Sequence, residues 1–204
     1  MNILEQTLIE RFGENNVKTH LSTSKNDFPL LEINIEMRSE ITVLMTNGLS
    51  EYAMPVPEKY KERKNVELYF CLPSYWDLAS ENGKWVIEWI QKLAKHCIEK
   101  ETWYGIGHTF PNGNPALPIS ATMKQKYLML NAPYFLEKEL SPIQTEDKEI
   151  HFLGIIPIFE DEMDYKMGKG TYKLLQKIEG KGISELLDDY RMSCLKSKWR
   201  FFQK

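Results

Sequence analysis

The sequence predicts a single α+β domain, on three observations. Strand-like and helix-like patterns follow one another irregularly rather than in strict βαβ units. No internal repeat, low-complexity tract or Gly/Ser linker divides the 204 residues. The balance of 42% hydrophobic and 27% charged residues is that of an ordinary globular chain. At this size roughly 70% of the unfolded surface is hidden on folding, so no disulfide or metal is needed to hold a core.

Ile3, Leu4, Leu8 and Phe12 recur at helical spacing ahead of Gly13, which predicts a short amphipathic helix over 2–12. Leu31, Ile33, Ile35 and Met37 alternate with Glu32, Asn34 and Glu36, the period-2 pattern of a strand with one wet face. A second strand over 41–46 closes a hairpin through 38–40. Residues 47–65, broken by Gly48, Pro55 and Pro57 and then charged, read as a surface excursion before a strand at 66–72. Gly48 is expected at a positive φ. Trp85, Val86, Trp89, Ile90, Leu93, Ala94, Cys97 and Ile98 form a 3.6-period stripe that predicts a helix over 84–100, with both tryptophans in the core. Residues 103–110 lead into a Pro111-Asn112-Gly113-Asn114-Pro115 turn. Strands follow at 124–130 and 150–159, then helices at 171–178 and 183–191 divided by Gly180 and Gly182. The stretch 191–204 is basic and aromatic, with Trp199, Phe201 and Phe202. Its plain reading is a final strand or helix turn docked on the fold; its composition also suits an acidic partner, a membrane surface or single-stranded RNA.

Composition narrows the function classes. A formal charge of −3 and a pI near 5.9 argue against a protein whose main partner is nucleic acid. Three cysteines without Cys-x-x-Cys spacing, no basic apolar leader and no run of 18 apolar residues predict a cytoplasmic protein with reduced thiols and no membrane span. Gly105-Ile106-Gly107 lacks a third glycine at Phe110, and Gly168-Lys169-Gly170-Thr171 lacks the residues of a phosphate loop. His20, His96, His108 and His151 have no paired metal spacing, and Cys71 and Cys97 fall on apolar faces where thiols are inert. No Gly-x-Ser-x-Gly elbow occurs. These patterns predict no cofactor and no metal and give an enzyme activity no anchor: a paired-carboxylate hydrolase stays open, but no acidic pair is selected by the order of residues, and the expectation is a protein that is not an enzyme.

Several segments, in order, resemble the Suppressor-of-fused domain family. They are Thr46-Asn47-Gly48-Leu49-Ser50, then Val66-Glu67-Leu68 through Leu72-Pro73 and Trp76, and the Trp-rich helix with Leu93-Ala94. Gly107-His108, the stretch 128–133, and the stretch 152–158 followed by 160–162 and Gly170 complete the set. The resemblance covers about residues 28–180 of a domain taken as 1–204. It implies a mixed, mostly antiparallel sheet packed with helices, and a domain that binds polypeptide without catalysis. Bacterial single-domain members are assigned as immunity proteins that neutralise a toxin, and animal members hold a transcription-factor peptide between two lobes. The animal members continue into a second lobe near the point where this sequence ends, so the two-lobed clamp is expected to be incomplete here, and the family's peptide-contacting region corresponds only by location, to the stretch after Gly107-His108.

That location has suitable chemistry. Trp103, His108 and Phe110 offer rigid aromatic area, and Asn112 and Asn114 offer amide donors and acceptors. The plainer reading places Trp103 and Phe110 in the core and gives the asparagines to the turn. A second expected surface is the acidic run 160–164, with Asp161 and Glu162 facing a basic toxin; alternatively that run opens a helix, where carboxylates favour the dipole. The expected partner is thus a protein or peptide, with a toxin domain the specific expectation, and oligomeric state stays open. Two alternatives stand beside it: a small-molecule or hydrolytic pocket formed by His108 with residues 160–164, and a regulatory scaffold that binds a peptide by strand addition.

Overall fold

The computed structural model describes residues 2–20 and 26–196. Its elements are α1 (Ile3–Phe12), β1 (Val17–Thr19), β2 (Leu30–Glu36), β3 (Glu40–Thr46), β4 (Val66–Pro73), α2 (Trp85–Glu99), β5 (Thr109–Pro111), β6 (Tyr127–Asn131), β7 (Ile143–Gln144), β8 (Glu149–Ile158), α3 (Glu160–Lys169) and α4 (Thr171–Glu179). The eight-stranded sheet runs β1-β2-β3-β4-β8-β6-β5, with β7 beside this path against β8. Every pairing is antiparallel except β4 with β8, so the sheet is mixed and mostly antiparallel, as expected. The parallel pair needs a long crossover, and the chain uses it to carry α2, β5 and β6.

Both faces of the sheet are covered. On one, Leu44, Leu68, Phe70, Leu128, Leu130 and Ile155 meet the stripe of α2, where Trp85 packs edge-on against Phe70. On the other, Ile33, Val43, Tyr69 and Phe152 meet Leu4 and Leu8 of α1 together with Leu136 and Leu140. Met129, Ile156 and Ile158 bury against Leu174 and Ile178 of α4. Coverage on both faces explains why β4 and β8 are apolar at nearly every position while β2, nearer the edge, alternates.

Buried carboxylates hold the connections. Glu67, on β4, is fully buried and accepts the hydroxyl of Thr46 and the N–H groups of Gly48, Leu49 and Ser50 at 3.0–3.1 Å. Burial raises its pKa, and the Thr46 hydroxyl and the amides oppose that rise. Gly48 takes φ +117°, the conformation anticipated for it. The excursion 47–65 therefore departs from a simple surface loop: Leu49, Ser50 and Met54 are buried because Glu67 draws the first turn inward.

The expected helix over 183–191 is absent. Glu185 turns into the interior, where it accepts the Tyr69 hydroxyl and the N–H groups of Tyr134, Phe135 and Leu136, while Leu187 N–H reaches the Cys71 carbonyl at 2.9 Å. An extended path satisfies these groups, and a helix would turn Glu185 away from them. The acidic run 160–164 opens α3 directly. Ser193 and Cys194 are buried against it, and the tail's Trp199, Phe201 and Phe202 lie outside the described residues.

Candidate functional site

β5 ends the sheet on the side away from β1, with β6 as its one neighbour among the described residues. Leu130 N–H donates to the His108 carbonyl and Asn112 N–H to the Lys126 carbonyl, both at 2.9 Å. By the alternation of an antiparallel ladder, the N–H and C=O of Thr109 point away from β6, toward the open side. Pro111 has the same orientation and no N–H, so Thr109 carries the one outward donor of this strand.

The approach to β5 is a tight aromatic corner. A Cβ on Gly105 would stand 2.7 Å from the Trp103 ring, so glycine lets that ring fold over the backbone. Gly107 has φ +84°, and a Cβ there would fall 2.4 Å from the Thr171 methyl; the start of α4 is thereby pressed onto the strand. The Trp103 and His108 rings meet at 4.3 Å, and the Tyr60 ring lies 5.5 Å from that of Trp103. Tyr104 is buried, meets Phe110 edge-on and donates its hydroxyl to the Leu93 carbonyl at 2.9 Å. Its single proton is thus spent, so the 3.0 Å contact with His96 Nδ1 has the imidazole as donor.

Two recesses share Trp103, Tyr104 and His108. A shallow one of about 360 Å³ follows the open edge of β5 between α2 and α3 and is lined by His96, Thr109, Phe110 and Lys166 among others. A larger cleft of about 650 Å³ lies on the Tyr60 side, walled mainly by apolar groups including Val66, Pro133, Leu140 and Leu175. Burial and the charge of Lys166 lower the His108 pKa, opposed by the hydrogen bond the imidazole donates to the Trp103 backbone, so the imidazole is favoured neutral.

The anticipated site residues separate into three groups. Trp103, His108 and Phe110 come together at the β5 edge, each half-buried. Asn112 lies at the end of β5 with its amide donating to the carbonyls of Leu117 and Pro118, the turn chemistry of the plainer reading; Asn114 is exposed farther along the same turn. Asp161 and Glu162 lie apart from both. Glu162 is fully buried beneath Arg191, which removes it from any docking surface, and Asp161 accepts the Ser193 hydroxyl at 2.7 Å. None of residues 160–164 lines either recess that holds His108, so the constellation of the hydrolytic alternative does not assemble.

Sequence reasoning missed Thr109 and Lys166. A three-residue strand is too short to show alternation, and Lys166 reads as the exterior of a helix. The remaining histidines are dispersed: His20 bonds Glu32, and His151 contacts Glu62 and Glu149. Among the described residues no three His, Cys, Asp or Glu side chains converge, and no helix is long and apolar enough to cross a membrane. Burial pushes the thiols of Cys97 and Cys194 up to about 12.

Comparison with known proteins agrees with this architecture. The family described as Suppressor of fused protein (SUFU) matches residues 29–192. No curated protein matches the chain in sequence. The crystal structure of Drosophila Suppressor of Fused superposes with a TM-score of 0.67 at 16% identity, over 94% of this chain and 50% of that one. The Sufu-Fu complex crystal structure superposes with a TM-score of 0.66 at 15% identity, over 94% and 90% respectively. The chain thus spans about half the length of the Drosophila protein chain.

Proposed function

Because this chain belongs to the Suppressor of fused protein family, we propose that it is a non-catalytic domain that binds polypeptide, receiving an extended segment along the open edge of β5. The observation that carries this reading is the outward N–H and C=O of Thr109 beside the Trp103–His108 corner. An exposed edge supplies backbone hydrogen bonds to an incoming strand, and flanking recesses receive its alternate side chains. The likeness to a structure described as a Sufu-Fu complex supports a protein partner.

The finer reading is that the partner is a toxin domain, neutralised in the cytoplasm by occlusion, with about 800 Å² buried on each side. It rests on the resemblance to immunity-type members of the family. The small-molecule alternative has the weaker support: the cleft beside His108 is walled mainly by apolar groups, and its one lining carboxylate is Glu137 rather than any of residues 160–164.

The test is amide hydrogen exchange on the protein alone and with the partner that co-purifies from its native cell. Slower exchange at Thr109 on binding is the expected result. Protection confined to other faces, with Thr109 unchanged, would overturn the assignment of β5.

A further inference from the structure

Backbone pairing at a sheet edge accepts almost any sequence, so selectivity comes from the side chains that overlook the edge. The β5 recess is overlooked from α3 by Lys166, which is half-buried. Among the described residues its ammonium enters no ion pair. Among the described residues no acidic side chain lines the recess. The opening turn of α3 carries three carboxylates, yet Glu160 is matched by Lys126 at 2.7 Å and Glu162 by Arg191 at 2.8 Å, and neither lines the recess. Burial already lowers the Lys166 pKa, and its charge in turn disfavours a proton on His108. A partly dehydrated cation without a counter-charge, held over an unpaired strand edge, is complementary to an anion delivered by the strand that pairs there.

We infer that the segment added to β5 carries an acidic side chain, Asp or Glu, at one fixed position, seated against Lys166. This rests on the reading of β5 as the receiving edge and adds the chemistry of what it receives. The alternation of a strand fixes the position: the acid occupies one register, and a shift of one residue turns it to the opposite face.

The experiment is selection of a displayed random decapeptide library on the full chain, followed by affinity measurement with the selected peptides. A consensus with one invariant acid is expected. Its Glu→Gln replacement should weaken binding about tenfold at low salt, and that ratio should fall to near one on Lys166→Met. Lys166→Gln serves as a second variant should the first not fold. Peptides without an acid, or insensitive to the Glu→Gln change, that still lose binding on Thr109→Pro would overturn the acidic requirement and leave strand addition standing. Peptides indifferent to Thr109→Pro, or no enrichment at all, would overturn the reading of the edge and this inference with it.

Discussion

Arg191 and Glu162 face each other through two parallel hydrogen bonds, Nη1 to Oε1 and Nη2 to Oε2, each 2.8 Å. The pair is sealed from solvent and fully engaged. Glu162 also accepts the N–H groups of Phe159 and Cys194, and Arg191 donates to the Pro157 carbonyl over the Phe159 ring. One carboxylate thus starts α3, ends β8 and pins the segment that follows residue 190. Arg191→Met strands that carboxylate, and the expected loss of stability in urea is about 3–5 kcal/mol. The double variant Glu162→Gln, Arg191→Met should recover a substantial part of it, because it removes both charges together.

The same pair gives a sign for the acid limb of stability. Burial alone raises the Glu162 carboxyl, but Arg191, Cys194 and Phe159 together outweigh it and hold the group below the usual carboxylate range. Its contribution is complete above the unfolded-state value near 4.5 and is lost as pH falls through the folded-state value. Unfolding midpoints of wild type and Glu162→Gln should therefore converge as pH falls below 4.5 and keep a constant separation above it.

His108 acts in a different pH window. Its folded-state pKa lies below the usual 6.5, so on acidification the unfolded chain takes up a proton that the folded chain resists. Stability should decline as pH drops below 6.5, and His108→Gln should remove that component while leaving the Glu162 limb in place. Urea titrations between pH 5 and 8 check this.

Gly107 and Thr171 form a testable coupling. Gly107→Ala introduces both a strained positive φ and a clash with the Thr171 side chain. The expected cost is about 2 kcal/mol or more. Thr171→Ala removes the methyl and hydroxyl in the way, so the double variant should be more stable than the sum of the two single changes.

What could be read in the sequence follows from how local each signal is. The α2 stripe and the apolar runs of β4 and β8 are periodic over many residues, and burial enforces the period, so those elements stand where the pattern places them. Residues 183–191 have helical spacing, but Glu185 is held by amides some fifty positions away, and no local pattern records a partner that distant. The same holds for Glu162. Acidic residues at the start of a helix look like a solvated patch until Arg191 folds back upon them from 29 positions downstream. Trp103, His108 and Phe110 were legible as an aromatic group because they are near neighbours in the chain. Thr109, whose value lies in which way its backbone faces, carries no side-chain signal.

The central claim is that an extended polypeptide pairs with the outward edge of β5, and Thr109→Pro tests it most directly. Proline removes the outward N–H while the bonds of His108 and Asn112 to β6 remain. Titration of the natural partner against wild type and a Thr109→Pro variant with unchanged thermal unfolding should show affinity reduced about tenfold or more. Equal affinity in the two proteins would contradict the account.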